Sequence, residues 1–148
     1  MESSYKVVEE KTGRYLPVIY PEELPFWEGA RKHEIVLQRC NACAKSWYPI
    51  GPACPHCFSM SFKWDRMSGR GTLHNYVVFH KPWTKWFESK VPYAVVQVQL
   101  EEGPILISNI DQDAVPDLKA GVSVKMIYGS HPDGYTLPRF QLAGADRP

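Results

Sequence analysis

Four cysteines form two matched pairs in the first half of the chain. They are Cys40 with Cys43 and Cys54 with Cys57, so the pattern is Cys-x2-Cys, ten residues, Cys-x2-Cys. This is the spacing of a four-thiolate structural zinc site, because each pair can hold one side of a tetrahedral metal. The alternative is two disulfides, which the tight spacing and a reducing compartment disfavour. The chain has no other cysteine, so we expect one structural zinc ion and no cysteine nucleophile.

The overall composition narrows the classes of partner and location. There are 17 Lys+Arg against 16 Asp+Glu among 148 residues, whereas a dedicated duplex-DNA binder has a clear basic excess. We see no run of about eighteen apolar residues, as a membrane-spanning helix would need. The first residues contain no apolar signal core, so we expect a cytoplasmic location.

We expect the chain to divide into three parts. These are an N-terminal extension with a docking helix at residues 1–33, a zinc ribbon at residues 34–67 and an OB-fold domain at residues 68–148. Residues 21–33 begin with acids and end with bases, which suits the dipole of a short helix. Phe26 and Trp27 lie on this helix. They either cover the core or dock a larger partner, as exposed aromatic anchors do.

The zinc ribbon is predicted from short apolar runs around the cysteine pairs, at residues 35–39, 46–48 and 61–64. About 34 residues cannot bury enough area to fold alone, so the metal supplies the missing folding energy. His56 lies inside the second pair, but four thiolates fill the coordination shell. We therefore expect His56 to be exposed and not to be a ligand.

The last part of the chain is predicted to be all β, with five strands at residues 72–80, 93–100, 105–110, 122–128 and 135–142. Apolar and polar residues alternate in these runs, as in strands with one buried face. Pro138 argues for an edge position of the last strand. Residues 111–119 are the one longer connection. Five strands with hairpin turns and one longer connection fit a small closed barrel of the OB type.

A loop after the first barrel strand interleaves three lysines with three aromatics, namely Lys81, Trp83, Lys85, Trp86, Phe87 and Lys90. CoA offers phosphates for lysines and an adenine for stacking, and single-stranded nucleic acid offers the same two things. A third interpretation is that the aromatics cap one mouth of the barrel. Arg70, between Gly69 and Gly71, is either a phosphate or partner contact or a solvated hinge residue.

Two histidines are the remaining candidates for chemistry. His74 and His80 are six apart on the predicted first barrel strand, hence on one face, near Tyr93. They would serve as an acid–base site in a small acyl-CoA hydratase or hydrolase, or they are ordinary exposed strand histidines. The chain has no Gly-x-Ser-x-Gly elbow and no phosphate-binding Gly-rich loop. We assign no catalytic residue.

The order of short motifs resembles the rubredoxin-like zinc-ribbon plus OB-fold family, long catalogued as a domain of unknown function. The motifs span roughly residues 20–142 and are Phe26-Trp27-Glu28, Leu37-Gln38-Arg39-Cys40, Tyr48-Pro49, Cys54-Pro55-x-Cys57, Ser68-Gly69-Arg70-Gly71-Thr72, Pro92-Tyr93 and Pro138-x-Phe140. The resemblance implies a non-catalytic accessory subunit in acyl-CoA metabolism, hetero-oligomeric with a thiolase-fold or hydratase-fold catalytic subunit. The chain is similar in this respect to the small subunit of a thiolase of an aromatic-acid pathway.

The same resemblance implies roles for the parts. The ribbon and the N-terminal helix would dock the partner, and the barrel would help to bind or channel a CoA thioester. The family usually has glycine just after the second cysteine of each pair, where a positive φ is needed. This chain has Ala44 and Phe58 there, so we expect either a shifted knuckle or some backbone strain.

Overall fold

The structure is a computed structural model that describes residues 17–131 and 134–144. These residues contain one α-helix and eight strands, and the strands form two sheets. The bounds are α1 Leu24–Arg31, β1 Ile35–Cys40, β2 Ser46–Trp47, β3 Phe62–Met67, β4 Arg70–Phe79, β5 Tyr93–Leu100, β6 Ile105–Asn109, β7 Ser123–Ser130 and β8 Thr136–Leu142. Short 3-10 helices cover Pro21–Glu23, Lys85–Phe87 and Gln112–Asp117. No helix in this part of the chain is long and apolar enough to cross a membrane.

The first sheet is the zinc ribbon, in the antiparallel order β2-β1-β3. Its central strand pairs along its whole length with β3, from Ile35 opposite Met67 to Cys40 opposite Phe62. Helix α1 lies against β1 at Gly29, where an added Cβ would be 2.8 Å from a methyl carbon of Val36. A side chain there would push the helix away, so this glycine sets the close approach of α1 to the ribbon.

The second sheet is the predicted five-stranded barrel, in the order β6-β5-β4-β7-β8 with antiparallel neighbours. The outermost strands β6 and β8 approach each other, since the Ser108 hydroxyl donates to the Pro138 carbonyl at 2.6 Å. An isolated parallel bridge joins Ile110 to Phe140. The sheet thus nearly closes, as an OB-type barrel does. Pro138 lies on an outermost strand, which confirms the edge position.

The first barrel strand differs from its prediction at both ends. It begins at Arg70 and ends at Phe79, so His80 lies beyond it. A register shift between Leu73 and Asn75 makes His74 a bulge residue, which faces no partner on β5. The prediction that the two histidines share one strand face is therefore wrong, because a bulge breaks the two-residue period on which it depended.

A single apolar core runs through the ribbon and the barrel. Phe26 of α1 and Leu37 of β1 belong to the same buried cluster as Leu73, Val98 and Phe140 of the barrel. Because the two parts share buried side chains, we expect them to unfold together. A second, smaller buried cluster surrounds the cysteines and includes Trp47.

Candidate metal centre and neighbouring surfaces

The four predicted ligands converge at the tip of the ribbon. Their Sγ atoms all lie within 4.8 Å of one another. The Sγ atoms of Cys40 and Cys57 are 3.5 Å apart and those of Cys43 and Cys54 are 3.7 Å apart. A tetrahedral zinc with Zn–S bonds of about 2.3 Å requires S···S separations of about 3.8 Å, so the donor set fits one zinc ion. All four cysteines are free, which removes the disulfide alternative.

Backbone groups prepare one of these thiols for the metal. The N–H of Cys43 and the N–H of Ala42 both donate to Cys40 Sγ, at 3.4 and 3.3 Å. These donors, the Cys43 N–H foremost, act together with the neighbouring Cys57 and Cys43 thiols to outweigh burial, and they lower the pKa of the Cys40 thiol to about 6. The contacts between thiols raise the pKa of the Cys57 thiol to about 12. Because the thiolate is the form that binds metal, the first knuckle favours the ligating state of Cys40.

The two knuckles have the same backbone geometry. The Ala44 N–H donates to the Cys40 carbonyl at 3.0 Å, and the Phe58 N–H donates to the Cys54 carbonyl at 2.9 Å. Ala44 has φ 60° and Phe58 has φ 61°. The knuckles therefore keep the left-handed conformation that glycine favours, and the expected strain is present in place of a shift. Such a conformation costs a residue with a Cβ roughly 1–2 kcal/mol.

Replacing Ala44 by glycine is expected to raise the free energy of unfolding of the zinc-loaded protein by about 1 kcal/mol, since it relieves this strain. Urea denaturation would measure the change. Lys45, which has no positive φ, is the control: Lys45→Gly is expected to lower stability slightly through the entropy of the unfolded chain. A lower stability for Ala44→Gly would show that the knuckle is not strained.

Gln38 secures the loop between the two cysteine pairs. Its side chain is 2% exposed. Its Nε2 donates to the Gly51 carbonyl at 2.8 Å, and its Oε1 accepts from the Gly51 N–H at 3.0 Å. Gln38 belongs to one of the family motifs, but the sequence does not indicate this contact, because the glycine that it binds is thirteen positions away. The bond holds the second knuckle against β1.

The variant Gln38→Glu keeps the shape and the acceptor but loses the donor and buries a charge. We expect it to lower the free energy of unfolding by about 2–3 kcal/mol, because the Gly51 carbonyl is left without its donor and a buried carboxylate oxygen faces it. Gln99→Glu, at an exposed position of β5, should change it by less than about 0.5 kcal/mol. Equal effects of the two variants in thermal denaturation would contradict the role of Gln38.

The proposed docking aromatics have different surroundings. Phe26 is 7% exposed and packs in the core, with its ring 6.0 Å from that of Tyr48. Trp27 is half-buried, and its Nε1 donates to Glu23 Oε2 at 3.3 Å. The core-covering interpretation therefore describes Phe26. Docking through Trp27 stays a prediction.

A groove of about 690 Å³ lies between the N-terminal turn and the ribbon. Proline, aromatic and aliphatic side chains form most of its wall, together with Glu22, Glu23 and Gln38; the apolar members include Tyr20, Pro25, Ile50, Met60, Phe62 and Trp64. Four separate stretches of sequence meet here, so periodicity within any one of them could not predict the groove.

The aromatic loop folds partly onto the barrel. Phe87 stacks on Tyr93 with ring centroids 4.1 Å apart, and Lys90 Nζ lies 3.8 Å from the centre of the Trp86 ring. These residues line a cavity of about 220 Å³ that Arg139 also borders. Trp83, by contrast, is largely exposed. The loop both caps the barrel and leaves aromatic surface available.

Arg70 is not close to this loop. It lies at the start of β4, whose ten residues extend roughly 30 Å before the loop begins. Its guanidinium makes a two-point ion pair with Glu101, through Nε at 3.0 Å and Nη2 at 2.8 Å. The neighbouring Gly71 allows β4 and β5 to pack closely, because a Cβ there would lie 2.4 Å from the Gln99 carbonyl oxygen.

His74 and His80 lie too far apart to act as one acid–base pair. His56, His74 and His80 are all exposed. The six-residue spacing of His74 and His80 corresponds to roughly 20 Å along extended chain, too far for a shared proton.

Comparison with known proteins agrees with this architecture. A family model described as the ChsH2 rubredoxin-like zinc ribbon domain matches residues 27–62, and one described as the ChsH2 C-terminal OB-fold domain matches residues 64–128. The solved structure of the "Ltp2-ChsH2(DUF35) aldolase" has a TM-score of 0.75 and 34% sequence identity. The match covers 86% of this chain and 99% of that chain.

Two curated relatives differ in length. A "Probable enoyl-CoA hydratase alpha subunit" of Thermomonospora curvata is 36% identical over 135 residues, which are 90% of this chain but 41% of the relative. The chain thus spans about two fifths of that protein. A "DUF35 domain-containing scaffold protein" of Methanothermobacter thermautotrophicus is 31% identical over 100 residues, 66% of this chain and 74% of the relative. With its ChsH2-type zinc ribbon followed by an OB-fold domain, the chain belongs to the DUF35 family.

Proposed function

We propose that this chain is a non-catalytic zinc-binding accessory subunit of an acyl-CoA enzyme complex. It docks a catalytic subunit of thiolase or hydratase fold and helps to hold the CoA thioester. The observation that carries the proposal is the closed four-cysteine centre. Among the described residues it is the one cluster of three or more potential metal ligands. Four thiolates leave no position for a substrate or an activated water, so the metal is structural.

The names of the relatives support a role beside another protein. The similar proteins are called an alpha subunit, a scaffold protein and a ChsH2 chain solved with an aldolase. These names describe those proteins, and two of them mention an enoyl-CoA hydratase or an aldolase. A thiolase-fold partner is our extension, based on the family resemblance of the motifs.

The barrel contributes a contact for CoA in this proposal. The cavity beside Trp86 and Phe87 is small compared with the roughly 300–1,000 Å³ of ligand pockets, so it suits one base or ring. Lys81 and Lys85 are exposed in the same loop, so their side chains are free to contact the phosphates of CoA in this proposal. Arg70 is not part of this contact, since it is paired with Glu101 at the far end of β4.

The CoA contact predicts that Lys85→Ala weakens CoA binding to the assembled complex by about fivefold, as expected for one exposed phosphate contact. Quenching of tryptophan fluorescence by CoA would measure the Kd. Lys45→Ala, on the ribbon, is the matched control and should leave the Kd unchanged. An unaltered Kd for Lys85→Ala would remove the loop from the CoA path while leaving the scaffold role intact.

The proposal as a whole is tested by affinity capture of the tagged chain from its native extract, with the co-eluting proteins identified. We expect a stoichiometric catalytic subunit of thiolase or hydratase fold that remains through a high-salt wash. Single-stranded nucleic acid removed by salt would instead support the rival binding role. Recovery of the chain by itself would contradict the accessory role.

A further inference from the structure

Phe58 combines two unfavourable features at the tip of the second knuckle. Its side chain is 81% exposed. Its φ of 61° is a conformation that L-residues with a Cβ rarely adopt. The equivalent residue of the first knuckle, Ala44, has the same φ but presents only a methyl group. The ribbon therefore folds with a minimal side chain at this position, and the aromatic ring of Phe58 contributes nothing to the buried clusters.

A second exposed apolar surface follows closely in the sequence. Met60, two residues further on, is 73% exposed and lines the groove between the N-terminal turn and the ribbon. Pro52, Phe62 and Trp64 continue the same wall. Monomeric proteins rarely expose contiguous apolar surface of this kind unless it binds something. An aromatic anchor beside an apolar groove is the arrangement that dominates the energetics of protein interfaces.

The charge around the groove selects the occupant. Glu22 and Glu23 line it, and among its described lining residues there is no lysine or arginine. Two carboxylates repel the phosphates of CoA or of nucleic acid, so neither suits this surface. A symmetric dimer of this chain would bring the same carboxylates of two copies together, which like-charge repulsion disfavours. A protein face that is apolar at its centre and carries lysine or arginine at its edge is complementary.

We propose that Phe58 is the anchor by which the ribbon docks its catalytic subunit. The ring of Phe58 enters an apolar pocket of that subunit. The groove beside Met60 receives an apolar segment of the subunit, and a lysine or arginine next to that segment forms an ion pair with Glu22. The strain at Phe58 is retained for this contact. The inference rests on the proposed function for the class of partner, but the surface and its chemistry are read from the ribbon itself.

The two knuckles provide a matched pair of variants. Phe58→Gly and Ala44→Gly both relieve a positive φ, and both are expected to keep zinc and to be at least as stable as the parent chain. Only Phe58→Gly removes the anchor. The test captures the catalytic subunit from native extract with each tagged variant, and then measures the Kd of the identified, purified subunit for each. We expect Phe58→Gly to raise the Kd at least about tenfold and Ala44→Gly to leave it unchanged.

Charge complementarity is tested in the same assay. Glu22→Lys reverses the charge at an exposed position of the groove and should raise the Kd several-fold. The increase in Kd should be smaller at high salt. Glu22 is a better choice than Glu23, because Glu23 already accepts a hydrogen bond from Trp27.

The outcomes separate the two proposals. If the parent chain captures the catalytic subunit and Phe58→Gly binds it equally well, the anchor is overturned while the accessory role stands. If the parent chain captures no protein, both fail. If the purified chain is a dimer that Phe58→Gly converts to a monomer, a second copy is the occupant and the inference is overturned. If the parent chain captures a stoichiometric protein of another fold and Phe58→Gly does not, the docking surface is retained and the proposed function is refuted.

Discussion

Replacement of Cys54 by serine is expected to abolish zinc binding and to unfold the ribbon. Cys54 is completely buried among the ligands, with its Sγ 3.7 Å from that of Cys43. A serine hydroxyl is not ionised at neutral pH and is a poor zinc ligand, so three thiolates would remain. Structural zinc supplies roughly 10–16 kcal/mol of apparent binding energy, which equals or exceeds the roughly 5–15 kcal/mol that stabilises a whole domain.

The loss should extend into the barrel, because Leu37 and Met67 of the ribbon belong to the barrel's core. Elemental analysis of the purified protein should give about one zinc per parent chain and a small fraction of that for Cys54→Ser. Near-ultraviolet circular dichroism would report the loss of tertiary packing. His56→Ala alters the same knuckle at an exposed residue that is not a ligand, and it should keep both zinc and fold. A folded Cys54→Ser protein would contradict the structural role of the metal.

Replacement of Phe140 by alanine is expected to be the most destabilising change within the barrel. Phe140 is 0% exposed, and its backbone bridges Ile110 where the barrel nearly closes. Its carbonyl also accepts from the Asp111 N–H at 3.0 Å. Removing a fully buried phenyl ring leaves a cavity and lowers the free energy of unfolding by about 3–5 kcal/mol.

Urea denaturation followed by tryptophan fluorescence would measure this loss. Ile107→Ala, at a position of β6 that is 60% exposed, is the control and should cost less than about 1 kcal/mol. Because the core is shared, Phe140→Ala should show one transition in which zinc release and barrel unfolding coincide. A loss below about 1 kcal/mol, or two separate transitions, would contradict the single continuous core.

The ligand set of the metal centre and the positions of the strands along the chain could be predicted because both depend on local patterns. The Cys-x2-Cys spacing determines how each pair holds a metal, and alternation from Ala94 to Leu100 places alternate residues in the core. Pro138 indicates an edge because a proline cannot donate a ladder hydrogen bond. The Ala44 and Phe58 positions indicated a backbone conflict, which the structure resolves as strain.

The remainder depended on contacts between residues far apart in sequence. A bulge at His74 shifts the register after it, and no single-strand pattern reveals a bulge. Gln38 follows three apolar residues in a short predicted strand, and that run does not indicate its hydrogen bonds with the Gly51 backbone. Arg70 is a candidate phosphate contact in the sequence, because the glycines on either side of it allow a ligand to approach closely. The aromatic loop is a second such candidate. The length of β4 separates them, and Glu101 pairs with the arginine.

Native mass spectrometry of the tagged chain, captured from its own extract and transferred intact, tests the central claim most directly. We expect the 16.9 kDa chain, with one zinc ion bound, to be recovered in a fixed stoichiometry with a catalytic subunit of thiolase or hydratase fold. A zinc-loaded chain that is recovered only as itself, or that carries only nucleic acid, would contradict the accessory-subunit account.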